Sequence, residues 1–317
     1  MAEKPKHASE YNSEQVELVR AMCLYVATKL GDMMDDLLIV GGLVPSLIID
    51  QEHLGEDVDP HVGTMDLDVG LQVALLNEGR YRQLTERLRG AGFEMDKTDA
   101  GNPTLQRWAI ANAERVTIDF LIQPTLEGDK GGKLRDLEPD FAAIIAPGLR
   151  CAFRDRKQVT LKGTTLFGEK ATRDIWVCDA GAYVVLKALA FDSRGENKDA
   201  YDLYYVVRNY GAGPTDVAAK LQPLLDDPDA RRALTILARD FSEPDAVGPM
   251  RVAAFVTGAK DDELQADAVG FLGQLLARVK TQADTAARNG HPGVADRSPR
   301  CIVHPPGRRG LGGQAVR

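Results

Sequence analysis

The stretch Met65-Asp66-Leu67-Asp68-Val69 places two acidic residues on either side of one apolar residue. Side chains two positions apart on a β-strand point to the same face, so Asp66 and Asp68 would share one face while the apolar residues face a core. Two carboxylates held side by side repel each other unless a cation lies between them. Mg²⁺ binds carboxylate oxygens and leaves coordination positions for phosphate and water, so the pattern indicates metal-dependent phosphate chemistry. A solvent-exposed strand face is the alternative, and the acidic pair alone does not exclude it.

Upstream of this strand, the stretch Leu38-Ile39-Val40-Gly41-Gly42 predicts a buried strand that ends in two glycines. A helix is predicted after it, from Leu43 to about Asp50. Gly41 and Gly42 expose backbone N–H groups and carry no side chains, which suits a place where phosphates come close. Most such turns are simple turns, and this one gains its interest from lying upstream of the acidic pair.

A third acidic residue, Asp119, lies in the middle of the otherwise apolar strand predicted over 115–122. A buried carboxylate without a partner is costly, so Asp119 needs one. If this strand lies beside the strand of Asp66 and Asp68, the three carboxylates converge, as in a two-metal phosphoryl-transfer site. A hydrogen bond from a neighbouring loop would equally satisfy Asp119.

The second half of the chain carries another polar cluster. Lys187 lies within an apolar helical stretch, and Lys198-Asp199-Ala200-Tyr201-Asp202-Leu203 follows it. Asp199 and Asp202 are three residues apart and therefore lie on one helical face. The cluster is either an internal salt-bridge network or a site in which Lys187 contacts a nucleotide phosphate while one aspartate orients it.

Composition sets the broad class of the protein. The chain has 317 residues, a net charge of −8 and four cysteines without CxxC spacing. These features predict a cytoplasmic protein with reduced thiols, and the absence of a long apolar run predicts no membrane span. The acidic charge argues against non-specific coating of nucleic acid. Two clusters form either a local basic groove or ordinary charged surface: Arg80, Arg82, Arg87 and Arg89, and Arg150, Arg154, Arg156 and Lys157.

Hydrophobic periodicity predicts an α+β protein in which a mixed sheet is followed by helices. We expect a flexible leader over 1–11, a mixed α/β domain over 12–178, a helical domain over 179–286 and a disordered tail over 287–317. Within the first domain, strands are predicted near 104–110, 158–161, 165–167 and 175–177, a turn at 112–114 and a mobile segment over 127–137. Six helices are predicted between 179 and 283.

Together, these motifs resemble the nucleotidyltransferase superfamily that includes DNA polymerase β. Its signature is an apolar strand, a GG or GS pair, a helix, a D-h-D strand (h is an apolar residue) and a third acid on a later strand. Within that superfamily, the chain looks most like the AbiEii/AbiGii-type toxin family, whose helical domain carries a lysine and a K/R-D-x-x-D-L element. The resemblance covers about residues 35–210.

The resemblance implies a polymerase-β-like domain that transfers a nucleotide from an NTP to an acceptor hydroxyl with loss of pyrophosphate. It implies two Mg²⁺ ions bound by Asp66, Asp68 and Asp119, with Asp119 also helping to deprotonate the acceptor. The residues implied to hold the nucleotide are Gly41, Gly42, Lys187, Asp199 and Asp202, and Lys187 also counts among the catalytic residues.

The resemblance further implies the toxin half of a bacterial toxin–antitoxin or phage-defence pair, with RNA such as a tRNA end as acceptor and a cognate antitoxin as partner. A small-molecule nucleotidyltransferase and a catalytically silent nucleotide-binding or interaction module remain open. The chain departs from the family in two places. The spacing from Gly42 to Asp66 is longer than usual, and Val62 occupies the position of an arginine, next to His61. His61 either substitutes for that arginine or lies exposed in a surface loop.

Overall fold

The computed structural model describes residues 5–55, 58–72, 78–110 and 116–289. The turn expected at 112–114 and almost all of the expected tail, from residue 290 onward, lie outside these residues. In the part that is described, no helix is both long enough and apolar enough to cross a membrane. The three described cysteines, Cys23, Cys151 and Cys178, are buried and form no disulfide.

The described residues form one mixed sheet of nine strands. The strands are β1 Leu37–Val40, β2 Asp66–Leu71, β3 Phe93–Lys97, β4 Pro103–Ile110, β5 Thr117–Ile122, β6 Leu134–Glu138, β7 Phe141–Ile145, β8 Arg156–Thr164 and β9 Lys170–Cys178. They lie in the order β3-β4-β5-β2-β1-β9-β8, and β7 pairs with both β5 and β6. The β2–β5, β5–β7 and β1–β9 pairs are parallel and the other pairs are antiparallel.

Ten α-helices accompany the sheet in the described residues. The helices are α1 Ser13–Leu30, α2 Val44–Ile48, α3 Glu78–Gly90, α4 Leu149–Arg154, α5 Ala180–Arg194, α6 Asn197–Asn209, α7 Pro214–Leu221, α8 Pro228–Asp240, α9 Val247–Val256 and α10 Asp262–Asn289. From α5 onward the described chain contains helices and no strand. The predicted α+β class, with a mixed sheet and a helical region after it, is therefore confirmed.

The start of α5 illustrates why the chain changes from strand to helix at this point. The Asp179 side chain follows β9 and accepts a hydrogen bond from the Ala180 backbone N–H at 3.0 Å. An N-terminal cap of this kind satisfies a donor that the helix itself leaves unpaired. Gly195 ends the helix in the left-handed region at φ +64°, a conformation that glycine adopts without steric cost.

Some local predictions in the first half are wrong. The strand predicted at 165–167 is instead the turn between β8 and β9, because Thr165 donates to the Glu169 carbonyl and Gly168 donates back to the Thr165 carbonyl. β6 occupies the end of the segment expected to be mobile, since its backbone pairs with β7. The helix expected to run to about Asp50 is shorter, and α2 ends at Ile48.

The acidic strand alternates as predicted. Leu67 and Val69 of β2 are fully buried, while Asp66 and Asp68 are half-buried on the opposite face. Ahead of α1, residues 8–10 form a 3-10 turn, and the ring of Tyr11 lies 6.0 Å from that of Phe255 in α9. The described part of the expected leader is thus packed against the helical region.

Candidate active site

The register of two central strands brings the predicted acids together on one face of the sheet. Asp68 on β2 is the Cα partner of Asp119 on the parallel strand β5, and Asp66 is the partner of Thr117. The Thr117 hydroxyl donates a hydrogen bond to Asp66 Oδ1 at 2.7 Å. β2 and β5 are therefore neighbours, as the convergence of the three carboxylates requires.

The two glycines after β1 lie against this face. Gly41 has φ +74°, and a Cβ atom there would lie 1.9 Å from Asp68 Oδ2. A Cβ atom on Gly42 would lie 2.8 Å from the Thr64 Cβ. Neither position tolerates a side chain, because the carboxylate of Asp68 and the side chain of Thr64 occupy the space. A group bound against the Gly41 backbone would consequently lie beside the Asp68 carboxylate.

Asp119 has a partner that the sequence analysis missed. Arg107 on β4 donates from Nε to Asp119 Oδ1 at 2.7 Å and from Nη2 to Asp119 Oδ2 at 2.5 Å. The hydrogen bond to Asp119 raises the pKa of Arg107 above its usual range, although burial opposes the shift. The predicted strands contained the signal, because a hairpin centred on residue 113 places Arg107 and Asp119 six residues from the turn on either side. The donor to Asp119 thus lies on a neighbouring strand and not in a loop, so the loop alternative is wrong.

Lys187 lies in a buried ion network between α5 and α6. Its Nζ is 3.0 Å from Asp199 Oδ1 and 2.6 Å from Asp202 Oδ2. Arg194 binds Asp199 at 2.6 Å and Lys198 binds Asp202 at 2.8 Å. Burial favours the neutral form of Asp202, but Lys187 and Lys198 outweigh it and hold the pKa of Asp202 well below its usual range. The cluster is thus an internal salt-bridge network, as one of the two interpretations predicts.

His61 belongs to the same network, and the expectation of an exposed loop histidine is wrong. Its side chain is fully buried, and its Nε2 lies 2.9 Å from Asp202 Oδ1. Its Nδ1 accepts a hydrogen bond from the Gly63 N–H at 3.0 Å. Burial lowers the pKa of His61 to about 4. The ring is therefore neutral at pH 7, with Nε2–H as the donor to Asp202.

A cavity of about 320 Å³ opens between the acidic strand and α5. Gly41, Asp68, Lys187 and Arg194 belong to its lining. The lining also includes apolar side chains, namely Leu121, Ile144, Ile145, Pro147, Leu186 and Leu189. A volume in this range, with a few polar groups on an apolar wall, is typical of a small-molecule site. The lining does not include the remaining predicted site residues, Gly42, Asp66, Asp119, Asp199 and Asp202.

The carboxylates provide the oxygen ligands that a hard divalent cation prefers. Within the described ranges, no group of three or more His, Cys, Asp or Glu side chains is arranged to hold a metal ion. Both oxygens of Asp119 accept hydrogen bonds from Arg107. Asp66 and Asp68 therefore form the carboxylate pair on one strand face that fits such a cation, and Asp119 could add a ligand only through the acceptor positions that Arg107 leaves.

The two arginine clusters considered for a nucleic-acid groove are largely engaged in ion pairs. The pairs are Arg80–Asp36, Arg87–Asp32, Arg89–Asp140, Arg150–Asp227 and Arg154–Asp226. The guanidinium of Arg156 lies 4.3 Å from the centre of the Trp176 ring. These contacts favour the interpretation of both clusters as ordinary charged surface.

No protein-family model matches the sequence, and no curated protein matches it. Among solved structures, the chain is similar to an antigenic nucleotidyltransferase-like protein from Paracoccidioides brasiliensis, with 14% sequence identity and a TM-score of 0.39. The match covers 78% of this chain and 95% of that one. A likeness this distant assigns no family, so any function has to be argued from the residues of the site.

Proposed function

We propose that the protein is a metal-dependent nucleotidyltransferase that moves a nucleotide from an NTP to an acceptor hydroxyl and releases pyrophosphate. One observation carries the proposal. Asp68 is the register partner of Asp119, lies against the Gly41 backbone and faces a cavity that Lys187 and Arg194 also line. One carboxylate for a cation and two cationic side chains for phosphates thus line one cavity, and the carboxylates of Asp66 and Asp119 lie on the same sheet face as Asp68.

Asp66 and Asp68 would hold Mg²⁺, and Asp119 would complete a second ion site. Bound Mg²⁺ supplies charge neutralisation and positioning for the transferred phosphoryl group. Arg107 fixes the Asp119 carboxylate through both oxygens. In this arrangement Asp119 is oriented on the same sheet face as Asp68, where it would accept the proton of the acceptor hydroxyl.

Gly41 and Gly42 would leave room for the phosphates, and Lys187 would bind one of them. Burial lowers the pKa of Lys187, but Asp202 and Asp199 outweigh burial and raise it, so the ammonium group stays charged at neutral pH. The two aspartates orient the ammonium group through contacts of 3.0 and 2.6 Å. Since Lys187 also lines the cavity, it can contact a phosphate without leaving this network.

The acceptor and the biological role rest on the sequence resemblance. It points to an RNA acceptor, such as a tRNA end, and to the toxin of a toxin–antitoxin or phage-defence pair in the cytoplasm. A small-molecule acceptor is the second candidate. The net charge of −8 and the ion-paired arginines favour this second candidate, because an RNA-binding groove needs cations that are available to phosphates.

Labelled NTPs test the proposal and separate the acceptors. The protein would be incubated with each α-labelled NTP and Mg²⁺, once with total RNA and once with a low-molecular-mass cell extract. Label in the RNA fraction supports the RNA acceptor, and label in the small-molecule fraction supports the second candidate. Both signals should vanish with EDTA and in the double variant Asp66→Ala/Asp68→Ala. No label with any NTP in either fraction would leave a silent binding module as the better account.

The toxin role has its own test. Expression of the protein should arrest bacterial growth, and Asp66→Asn should abolish the arrest if nucleotidyl transfer causes it. Arrest that persists with Asp66→Asn would argue against a catalytic toxin. Transfer activity in vitro without any arrest would keep the enzyme and remove the toxin role.

A further inference from the structure

Arg232 brings a third cation to the cavity beside the acidic strand, from a helix that the proposed site does not use. The residue lies on α8 and belongs to the cavity lining together with Asp68, Lys187 and Arg194. Among the described residues, these four are the charged side chains of that lining. A ligand in the cavity therefore meets cationic groups from α8 as well as from α5.

The Arg232 side chain is accessible and is also held in place. It is 58% exposed, and its Nη2 donates to Asp192 Oδ2 at 2.8 Å. Asp192 lies on α5, and its side chain is 19% exposed, so a mostly covered carboxylate anchors the guanidinium group. This bond engages Nη2, whereas a guanidinium group carries N–H donors on Nε and on both Nη atoms. Arg232 can therefore keep its anchor while it donates to a ligand.

The guanidinium group indicates the chemistry of the ligand atoms that it binds. Its planar fork of donors matches the oxygens of a phosphate, and hydrogen bonds between charged groups are stronger than those between neutral ones. Gly41, with φ +74°, belongs to the same lining, and a backbone without a side chain lets a phosphate approach closely. The triphosphate of an NTP provides acceptors of this kind.

We infer that the Arg232 guanidinium group donates hydrogen bonds to a phosphate of the bound NTP while Asp192 anchors it. Arg232 is then a further ligand-contacting residue, and α8 takes part in the site beside the sheet and α5. This inference rests on the proposed function, because it assigns a contact within the NTP site. An exposed ion pair contributes little to stability, so the loss of Arg232 acts mainly on nucleotide affinity.

The variant Arg232→Gln removes the positive charge and the fork of donors and keeps a polar side chain. Isothermal titration calorimetry with ATP, GTP, CTP and UTP and Mg²⁺, without an acceptor, gives Kd for the wild type and the variant. We expect Kd of the preferred NTP to rise about tenfold, as for loss of a hydrogen bond between charged groups. We also expect Tm to change little, because Arg232 is exposed. An unchanged Kd would overturn the inference.

Arg239→Gln is the matched control. Arg239 also lies on α8, is 60% exposed and binds the same carboxylate, with its Nη2 2.8 Å from Asp192 Oδ1. It also binds Asp240, and it is not part of the cavity lining. Both variants remove one positive charge and one ion pair with Asp192, but only Arg232→Gln changes the cavity. Kd for the NTP should therefore stay unchanged in Arg239→Gln. A rise equal to that of Arg232→Gln would mean that the lost charge or the altered Asp192 produces the effect, which would also overturn the inference.

Competition by inorganic tripolyphosphate locates the contact. Its inhibition constant against the preferred NTP should rise in Arg232→Gln by the same factor as the Kd of the NTP. An unchanged inhibition constant, or no competition, would overturn the phosphate contact. A wild type that binds none of the four NTPs would overturn the proposed function itself, whereas a wild type that binds an NTP only as well as Arg232→Gln does overturns the inference alone.

Discussion

At the scale of single residues, the central feature is a charge pair that the sequence motif does not contain. Asp119 is one of the predicted acids, yet both of its oxygens are bound by Arg107 from the neighbouring strand. The side chains of Arg107 and Asp119 are 17% and 7% exposed. The acid thus has a fixed orientation before any ligand binds, and the pair contributes to the fold as well as to the site.

Arg107→Met should destabilise the protein by about 3 kcal/mol, because it leaves a buried carboxylate without its counter-ion. Urea denaturation measures this loss. The double variant Arg107→Met/Asp119→Leu should recover most of it, since two apolar side chains leave no buried charge behind. A single variant as stable as the wild type would show that Asp119 does not depend on Arg107.

His61 predicts a dependence of stability on pH. Burial lowers its pKa in the folded protein to about 4 from a usual value of 6.5. Between pH 6.5 and pH 4, His61 is protonated in the unfolded chain but stays neutral in the folded protein. The free energy of unfolding therefore decreases as the pH is lowered from 7 to 4. Between pH 7 and pH 5 this loss amounts to about 2 kcal/mol.

His61→Gln separates this contribution from the other groups that titrate in the same range. The free energy of unfolding is measured in urea at pH 7 and at pH 5 for both proteins. Its decrease from pH 7 to pH 5 should be about 2 kcal/mol smaller in His61→Gln than in the wild type. Equal changes in the two proteins would contradict a buried neutral His61.

The sequence predicts these residues to different degrees. The shared face of Asp66 and Asp68 follows from strand periodicity, and Gly41 and Gly42 follow from the end of an apolar run. The Arg107–Asp119 pair was not predicted, although the hairpin register contains it. The burial of His61 does not follow, because its partner Asp202 lies 141 residues further along the chain. A local pattern shows a histidine in a polar loop, and only the packing of that loop against α6 removes the ring from water.

At the scale of elements, the turn from β1 to α2 holds the acidic strand in place. Gly41→Ala would force a Cβ atom into the Asp68 carboxylate in a left-handed conformation. Gly168→Ala is its control, because Gly168 has φ +78° and open space around its Cβ position. Gly168→Ala should lose about 1 kcal/mol of stability from the backbone strain, and Gly41→Ala should lose more because its Cβ atom also clashes with Asp68.

Only Gly41→Ala should lose nucleotidyl transfer, because it alone displaces Asp68. The comparison needs a transfer assay with labelled NTP beside a urea titration for each variant. Full transfer activity in Gly41→Ala would contradict the close fit of this turn to the acidic strand.

Elements also show where local prediction is limited. The strong apolar run of β1 and the alternation of β2 are visible in the sequence, and so are the amphipathic helices after 179. β3, β6 and β7 were not predicted, since their pairing depends on neighbours that a short window does not contain. β8 and β9 are longer than predicted because nine paired positions on each strand extend past the apolar residues into exposed polar ones.

At the scale of the whole molecule, several contacts join the residues before the predicted boundary near residue 178 to those after it. His61 binds Asp202, Asp229 accepts from the Gly148 N–H at 2.8 Å, and Asp227 binds Arg150 at 2.8 Å. We therefore expect the two regions to unfold together. The predicted boundary separates a sheet region from a helical region. An unfolding experiment tests whether it also separates two folding units.

The two tryptophans provide the test of this cooperativity, because Trp108 and Trp176 both lie in the sheet. Fluorescence then reports on the sheet, and circular dichroism at helical wavelengths reports mainly on the region after 179. The two urea transitions should coincide. Separate midpoints would show that the regions unfold as independent domains.

The most direct test of the central claim is the transfer of labelled nucleotide by three proteins in the presence of Mg²⁺. The wild type and Asp174→Asn should transfer label at similar rates, since Asp174 is an exposed residue of β9 that pairs with Thr160. Asp68→Asn should be slower by about a thousandfold or more, as expected when a group that stabilises transition-state charge is lost. Transfer by Asp68→Asn at the wild-type rate would contradict the account.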